Sequence, residues 1–215
     1  VEDDPAVLRS VQALVEAHGF PSEGFRSAEE FLSAFDREAP GCLITDLRLP
    51  GINGVTLQQR LLEHGSCLSV IVISGCADVS GAVELMQKGA LTLLEKPYDQ
   101  ESLLASIHRA IRLNQDRRTL ERRRRELESR FNQLSAGEHQ VLKQLLQGAS
   151  NKQIAFDLQI AVRTVEYRRK SILSKLGAGS VVEAARRLAE HERLTDISRL
   201  LCVGSDRLAP PEQPR

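Results

Sequence analysis

Short apolar runs and stretches of helical period alternate along the first half of the chain. Cys42-Leu43-Ile44-Thr45, Val70-Ile71-Val72-Ile73 and Leu91-Thr92-Leu93-Leu94 are near-continuous apolar runs, as strands covered on both faces require. Around them, helical spacing marks residues 5–18, 27–37, 54–64, 79–88 and a helix that begins at Glu101. This alternation predicts a doubly wound parallel sheet. Ser27 and Glu30 have the spacing of a capping box, which satisfies two amides at a helix start. Gly19, Gly65 and Gly89 stand where helices should stop, since glycine takes the left-handed C-terminal conformation without steric cost. Residues 20–25 include Pro21 and Gly24, and a proline without an N–H confines that strand to a sheet edge.

The pattern changes in the second half. The helix begun at Glu101 meets no stop before Ser135-Ala136-Gly137, and Leu113, Leu120, Leu127 and Leu134 recur every seven residues. That predicts a long amphipathic linker with some coiled-coil character. Its companion seam positions are Arg117, Arg124 and Phe131, and two arginines make a poor dimer core. A helix that helps pair subunits or docks on another surface is therefore expected over a strong zipper, with Arg122 to Arg125 as a solvated face. Ser135 and Glu138 then repeat the capping-box spacing, Val141, Leu142, Leu145 and Leu146 form an apolar stripe, and Gly148 ends that helix. A short helix through Asn151-Lys152-Gln153-Ile154-Ala155-Phe156-Asp157-Leu158 is followed by a tight turn and a third helix over residues 162–176, stopped by Gly177. Val165, Ile172, Leu173 and Leu176 face inward, while Arg163, Tyr167, Arg168, Lys170 and Lys175 occupy the other face. Two short helices with a close turn and a basic second helix predict a helix-turn-helix, whose second helix can enter the major groove.

Composition sets outer bounds. The chain has 215 residues, 41% of them hydrophobic but only 4% aromatic, so its cores pack aliphatic side chains. No run approaches the roughly 18 apolar residues of a membrane span, and no signal segment is present; a soluble, cytoplasmic protein without membrane partners is expected. Cys42, Cys67, Cys76 and Cys202 lack metal or CxxC spacing and read as small buried thiols. The formal charge of zero conceals a split: residues 1–112 carry 9 basic against 16 acidic residues, net −7, and residues 113–215 carry 20 against 13, net +7. The acidic half suits a cation and a phosphoryl group, and the basic half a polyanion.

Asp46 closes the first apolar run and is followed by Leu47-Arg48-Leu49-Pro50-Gly51-Ile52-Asn53-Gly54, through which no strand continues. A carboxylate is thus presented at the carboxyl end of a parallel strand, the edge where ligands bind in open α/β sheets. Glu2-Asp3-Asp4, Ser74 and Lys96-Pro97 also stand at run boundaries. Converging carboxylates need a cation, and oxygen donors suit Mg²⁺. A phosphoryl group on Asp46 would meet the metal, the Lys96 ammonium and the Ser74 hydroxyl, which makes an aspartyl-phosphate site.

These stretches, with Ile73-Ser74-Gly75 and Glu95-Lys96-Pro97-Tyr98, resemble the receiver domain of two-component response regulators. The resemblance implies that a histidine kinase phosphorylates Asp46, that Glu2, Asp3, Asp46 and the backbone carbonyl of Arg48 hold Mg²⁺, that Ser74 is the switch hydroxyl, and that Pro97 follows a cis bond. Receivers carry Tyr or Phe three residues before the lysine, an aromatic that swings inward on phosphorylation; Leu93 stands there in this chain. Either Leu93 repacks without a ring flip, or the receiver answers weakly to phosphate. Receivers also place a central first strand where this chain has almost no sequence, so that strand is expected to be truncated, since a gap there would expose apolar faces and unpaired backbone groups.

Residues 134–189 resemble the LuxR-type output domain, through Asn151-Lys152-Gln153-Ile154-Ala155, Thr164-Val165-Glu166 and Ile172-Leu173-Ser174-Lys175-Leu176-Gly177. The order of the two modules is that of the FixJ and NarL subfamily of response regulators. This resemblance implies a fourth, dimerising helix over about residues 180–192, with Lys152, Arg163, Thr164, Arg168 and Lys175 on DNA phosphates and Glu166, Tyr167 and Lys170 on base edges. The family often has His where Arg168 stands and Ser where Ala161 stands, and the second change removes a cap worth roughly 1 kcal/mol.

The expected architecture is a flavodoxin-like, five-stranded α/β receiver over residues 1–112, a linker helix over 113–134, an all-α helix-turn-helix domain over 135–195 and a disordered tail over 202–215. The expected function is a phosphorylation-controlled, DNA-binding transcriptional regulator that is not an enzyme. Its expected partners are a histidine kinase and double-stranded DNA, with RNA polymerase a further candidate and a homodimer on activation. Two readings compete with it: a DNA-binding regulator whose receiver works independently of phosphorylation, and a phosphorelay or interaction protein. A phosphatase using Asp46 as its nucleophile would share the chemistry, but the sequence offers no substrate pocket.

Overall fold

The computed structural model of the chain describes residues 1–75 and 90–202, with side chains through residue 198. The helix expected over 79–88, Gly89, the side chains of Cys76 and Cys202, and the tail lie outside the described residues. Two compact units form, one over residues 1–118 and one over 119–199.

In the first unit, strands β1 (Cys42–Asp46), β2 (Ser69–Ser74) and β3 (Thr92–Glu95) make a parallel sheet in the order β1-β2-β3. The register sets Asp46 beside Ile73 and Ser74 beside Glu95. Every residue of β2 is buried, because successive side chains point to opposite faces and both faces are covered. Val70 and Val72 join Phe31, Leu57 and Leu61 of helices α2 (Ala28–Ala34) and α3 (Gly54–Glu63) in one core. Ile71 and Ile73 join Val15 of α1 (Pro5–Ala17) and Leu103, Ile107 and Ala110 of α4 (Gln100–Asn132) in another. Full burial of each Val, Leu, Ile or Phe among them stabilises the fold by about 1.5–3 kcal/mol. The doubly wound parallel sheet is therefore present, with three strands among the described residues.

Local expectations fare unevenly. Ser27 Oγ accepts the Glu30 amide and Glu30 returns a carboxylate to Arg26 N, but α2 stops at Ala34, three residues early. Phe35 turns extended, its ring packs on Phe31, and Asp36 Oδ1 accepts the Glu38 amide in a local turn, a competitor to the helix. Residues 20–25 do not join the ladder as an edge strand; Pro21 has no amide to offer, and Phe25 O accepts a single bond from Glu2 N. Beyond β1, Val1 O accepts from Asp46 N at 3.0 Å. An apolar cavity of about 510 Å³ lies there, lined by Leu8, Val11, Val15, Phe20, Ile44 and Ile111 among others. Cys42 and Cys67 are half-buried rather than buried; burial pushes the Cys42 thiol up to about 11. No described helix is long and apolar enough to cross a membrane.

Helix α4 runs unbroken for 33 residues, yet its leucine repeat does not form one seam. Leu120 is exposed, while Leu127 and Leu134 are buried, and Phe131 and Leu134 enter the core of the second unit. That core also takes Val141, Leu142 and Leu145 of α5 (Ala136–Leu146), Ile154 and Ala155 of α6 (Asn151–Asp157), Val165, Ile172 and Leu176 of α7 (Val162–Leu176) and Ala184 of α8 (Val181–Cys202). Helix α8 runs ten residues past the expected end, because Leu194 continues its buried stripe and Ser198 Oγ reaches Glu121. Arg122 to Arg125 are not simply a solvated face: Arg124 and Arg125 pair with Glu121, and Arg123 grips Glu190 of α8 through Nε and Nη2 at 2.8 and 3.0 Å.

One polar residue ties α4 to the sheet. Asn114, 1% exposed, accepts the Gly41 amide at 3.1 Å and donates to Cys67 O at 2.9 Å, just ahead of β1 and β2. Asn114→Ala leaves both backbone groups without this partner and should lower the stability of the first unit by about 2 kcal/mol. Urea denaturation checks this; an unchanged midpoint would show that the amide bridge contributes nothing net.

Candidate functional site

Asp46 ends β1 because the chain turns on its own carboxylate: Oδ1 accepts the Arg48 amide at 2.8 Å. Gly54 opens α3 directly against this turn, and a Cβ on it would come within 2.7 Å of Asp46 O, so no larger residue fits without moving the peptide that carries the carboxylate. From the other side of the sheet edge, Lys96 N donates to Ser74 O at 2.7 Å, and the Lys96–Pro97 bond is cis. Lys96 Nζ then donates to Asp46 Oδ2 at 2.7 Å and to Glu2 Oε2 at 2.8 Å.

Two carboxylates converge on one ammonium, and Glu2 is 9% exposed. Partial burial works against the Lys96 charge, but the bonds to Asp46 and Glu2 outweigh it and hold its pKa above the ordinary lysine value. Ser74 is buried at the end of β2, and Leu93 packs half-buried against the core on the α2 and α3 side. Asp3 and Arg48 are exposed. Asp4 instead caps α1, accepting from Ala6 N and Val7 N. Among the described residues no group of three or more His, Cys, Asp or Glu side chains gathers closely enough to hold a metal ion; Glu2 and Asp46 are the acidic oxygen donors that converge. Chemically, the cluster offers a carboxylate oxygen as nucleophile and a fixed cation beside it.

The second unit presents a different surface. Ser150 Oγ caps α6 through Gln153 N, Gln159 takes φ 51° in the turn, and α7 starts at Ala161 without a side-chain cap. Lys152, Arg163, Glu166, Tyr167 and Lys170 are exposed, with Tyr167 at 75%, and Thr164 is half-buried. Two expected phosphate contacts are engaged within the domain. Arg168 lies against Gly137, donating to its carbonyl at 3.4 Å, and Lys175 Nζ donates to Glu138 at 2.7 Å.

Glu138 does more than its capping-box spacing suggested. The box with Ser135 forms, and the same carboxylate accepts the Ser171 hydroxyl at 2.6 Å, so the start of α5 holds two positions one turn apart on α7. The available signal was Ser171 and Lys175, four residues apart on one helix face. Burial opposes the Glu138 charge, but Lys175, Ser171 and Ser135 together hold its carboxyl at about 2. The sequence reading also passed over Arg169, which reaches Asn151 Oδ1 at 3.4 Å, and Phe156, 80% exposed on α6.

Residues 1–108 match the response regulator receiver domain, and residues 132–188 match the bacterial regulatory proteins of the luxR family. The response regulator protein TodT of Pseudomonas putida is 38% identical over 91% of this chain and 85% of its own length. The transcriptional regulatory protein FixJ of Azorhizobium caulinodans is 39% identical over 86% of this chain and 88% of its own. Among solved structures, the response regulator StyR superposes with a TM-score of 0.79 at 34% identity, covering 90% of this chain and 96% of that one. Full-length FixJ from B. japonicum gives 0.54 at 34% identity, covering 89% and 95%. The chain belongs to the response regulators that join a receiver domain to a LuxR-type helix-turn-helix domain, a family of phosphorylation-controlled, DNA-binding transcriptional regulators rather than enzymes.

Glu138→Gln keeps the shape of the cap and removes its charge, and should destabilise the second unit by about 1–2 kcal/mol at neutral pH. A carboxyl held at about 2 against an ordinary 4.5 contributes stability that is complete above pH 4.5 and is lost as the pH falls toward 2. Thermal unfolding across that range should show the wild type losing this contribution and the variant lacking it. Equal acid sensitivity in the two proteins would refute the assignment.

Proposed function

We propose that Asp46 is the phospho-acceptor and that its phosphorylation by a partner histidine kinase sets the DNA-binding activity of the second unit. The observation that carries this reading is the Lys96 ammonium held 2.7 Å from Asp46 Oδ2 at the carboxyl edge of a parallel sheet. In the transfer, an Asp46 oxygen forms the new O–P bond as the N–P bond of the phosphohistidine breaks and the imidazole leaves. Lys96 stands where it can meet the incoming phosphoryl oxygens, and Ser74 closes the neighbouring strand. The oxygen-only donors fit Mg²⁺, which Glu2, Asp3, Asp46 and the Arg48 carbonyl would hold; when bound, it neutralises charge on the carboxylates and phosphoryl oxygens.

On the DNA side, Lys152, Arg163 and Thr164 are proposed to meet phosphates, with Glu166, Tyr167 and Lys170 at base edges. Arg168 and Lys175 join the phosphate set by exchanging their internal partners. Domain limits of 1–112, 113–134, 135–195 and 202–215 belong to the same reading, as do a homodimer on activation and contact with RNA polymerase. A five-stranded sheet in flavodoxin-like order belongs to this reading too; the bonds from Glu2 N to Phe25 O and from Asp46 N to Val1 O support it, because they place backbone partners beyond β1.

Leu93 favours a second reading. It packs half-buried where receivers carry an aromatic, so the signal either travels by aliphatic repacking or does not depend on phosphate. Incubating the full chain with acetyl phosphate and Mg²⁺ should add the mass of one phosphoryl group to the wild type and none to Asp46→Asn. No uptake by the wild type would overturn the phospho-acceptor assignment. Uptake that leaves DNA affinity unchanged would establish the phosphorylation-independent reading.

A further inference from the structure

The C-terminal end of α7 is held by two arginines from different helices. Leu176 O accepts from Arg130 Nη1 of α4 at 3.3 Å and from Arg187 Nη1 of α8. A helix end leaves its last carbonyls unpaired and carries partial negative charge, so a guanidinium there supplies both a donor and a complementary charge. The approach depends on Gly177, which takes φ +63° and whose Cβ, if present, would stand within 2.9 Å of Arg187 Nη1 and closer still to Arg130. Arg130 is fixed from behind: its Nη2 donates to Glu126 at 3.0 Å, Glu126 also accepts from Arg123 at 3.0 Å, and Arg123 grips Glu190 on α8. The last turns of the long helix, the recognition helix and α8 are therefore joined by one connected set of charge-assisted bonds, all within residues 119–199.

We infer that Arg130 is a positioning residue for DNA recognition: it fixes the end of α7 relative to the final turns of α4, so that movement of those turns is felt by the recognition helix. Arg187 holds the same carbonyl from within the domain, whereas Arg130 belongs to the helix that continues into residues 100–118. That makes it a side-chain connection between the long helix and the helix proposed to read DNA. Arg124 pairs along α4 itself, with Glu121 and Glu128, and serves as the control.

The inference rests on the DNA-binding reading, and the test separates the two. A duplex enriched by the wild-type full chain from a randomised library serves as the probe; failure to enrich any duplex would overturn the DNA-binding reading and this inference with it. With the duplex in hand, Arg130→Gln should weaken specific binding by about fivefold, because the end of α7 must then be ordered at the expense of binding. It should leave binding to random duplex within twofold, and Arg130→Lys should recover part of the specific affinity. Hydrogen exchange in the variant should quicken at Gly177 and Ala178, whose amides close the last turn of α7. Arg124→Gln should change none of these. Unchanged specific affinity in Arg130→Gln, or parallel loss of specific and non-specific binding in both variants, would overturn the inference.

Discussion

Two carboxylates at one sheet edge repel each other, and the Lys96 ammonium between them is what makes the arrangement tolerable. Its bonds to Asp46 and Glu2 join residues separated by nearly the whole first unit in sequence. The ammonium is delivered by β3, Asp46 by β1 and Glu2 by the segment beside it, so the cluster forms only when the sheet is in register. Gly54 adds a steric condition by letting α3 press on the Asp46 peptide. Fold and chemistry are thus coupled: the same register that buries both faces of β2 brings the charges together.

The second unit solves a different problem, that of presenting a polar helix without letting it drift. Three inward residues of α7 bury in a shared core, but burial alone fixes a helix poorly against sliding or rotation. Directional bonds supply the rest. Glu138 takes Ser171 and Lys175 on one side, and Arg130 with Arg187 takes the terminal carbonyl. The exposed side chains are left to face outward from a helix whose ends and flank are already committed.

Most of this frame was legible in the residues. The cap at Ser27, the capping box at Ser135, the stop at Gly177 and the apolar runs ending at Asp46 and Ser74 are local signals, and these survive into the structure. Apart from the end of α2, which a local turn at Asp36 cuts short, what failed needed partners distant in sequence. The heptad leucines suggested one seam, but Leu127 is buried while Leu120 is exposed, and Phe131 and Leu134 belong to a core assembled from later helices. Arg168 and Lys175 read as outward basic residues until Gly137 and Glu138, more than thirty positions earlier, were placed beside them. Residues 20–25 had strand composition, yet a strand exists only through a bonded neighbour. The end of α8 was missed for the same reason, because Glu121 and Leu194 define it together.

The ion pairs along α4 and α8 bear on how the basic half interacts with a polyanion. Its formal excess suggests a broad positive surface, but a guanidinium already paired with a carboxylate has little attraction left to displace cations condensed around a duplex. Arg123, Arg124, Arg125 and Arg187 are all in that condition. Under the proposed contacts, the dependence of DNA affinity on ionic strength follows the number of phosphates met by exposed cations such as Lys152 and Arg163, and the salt slope counts contacts rather than composition.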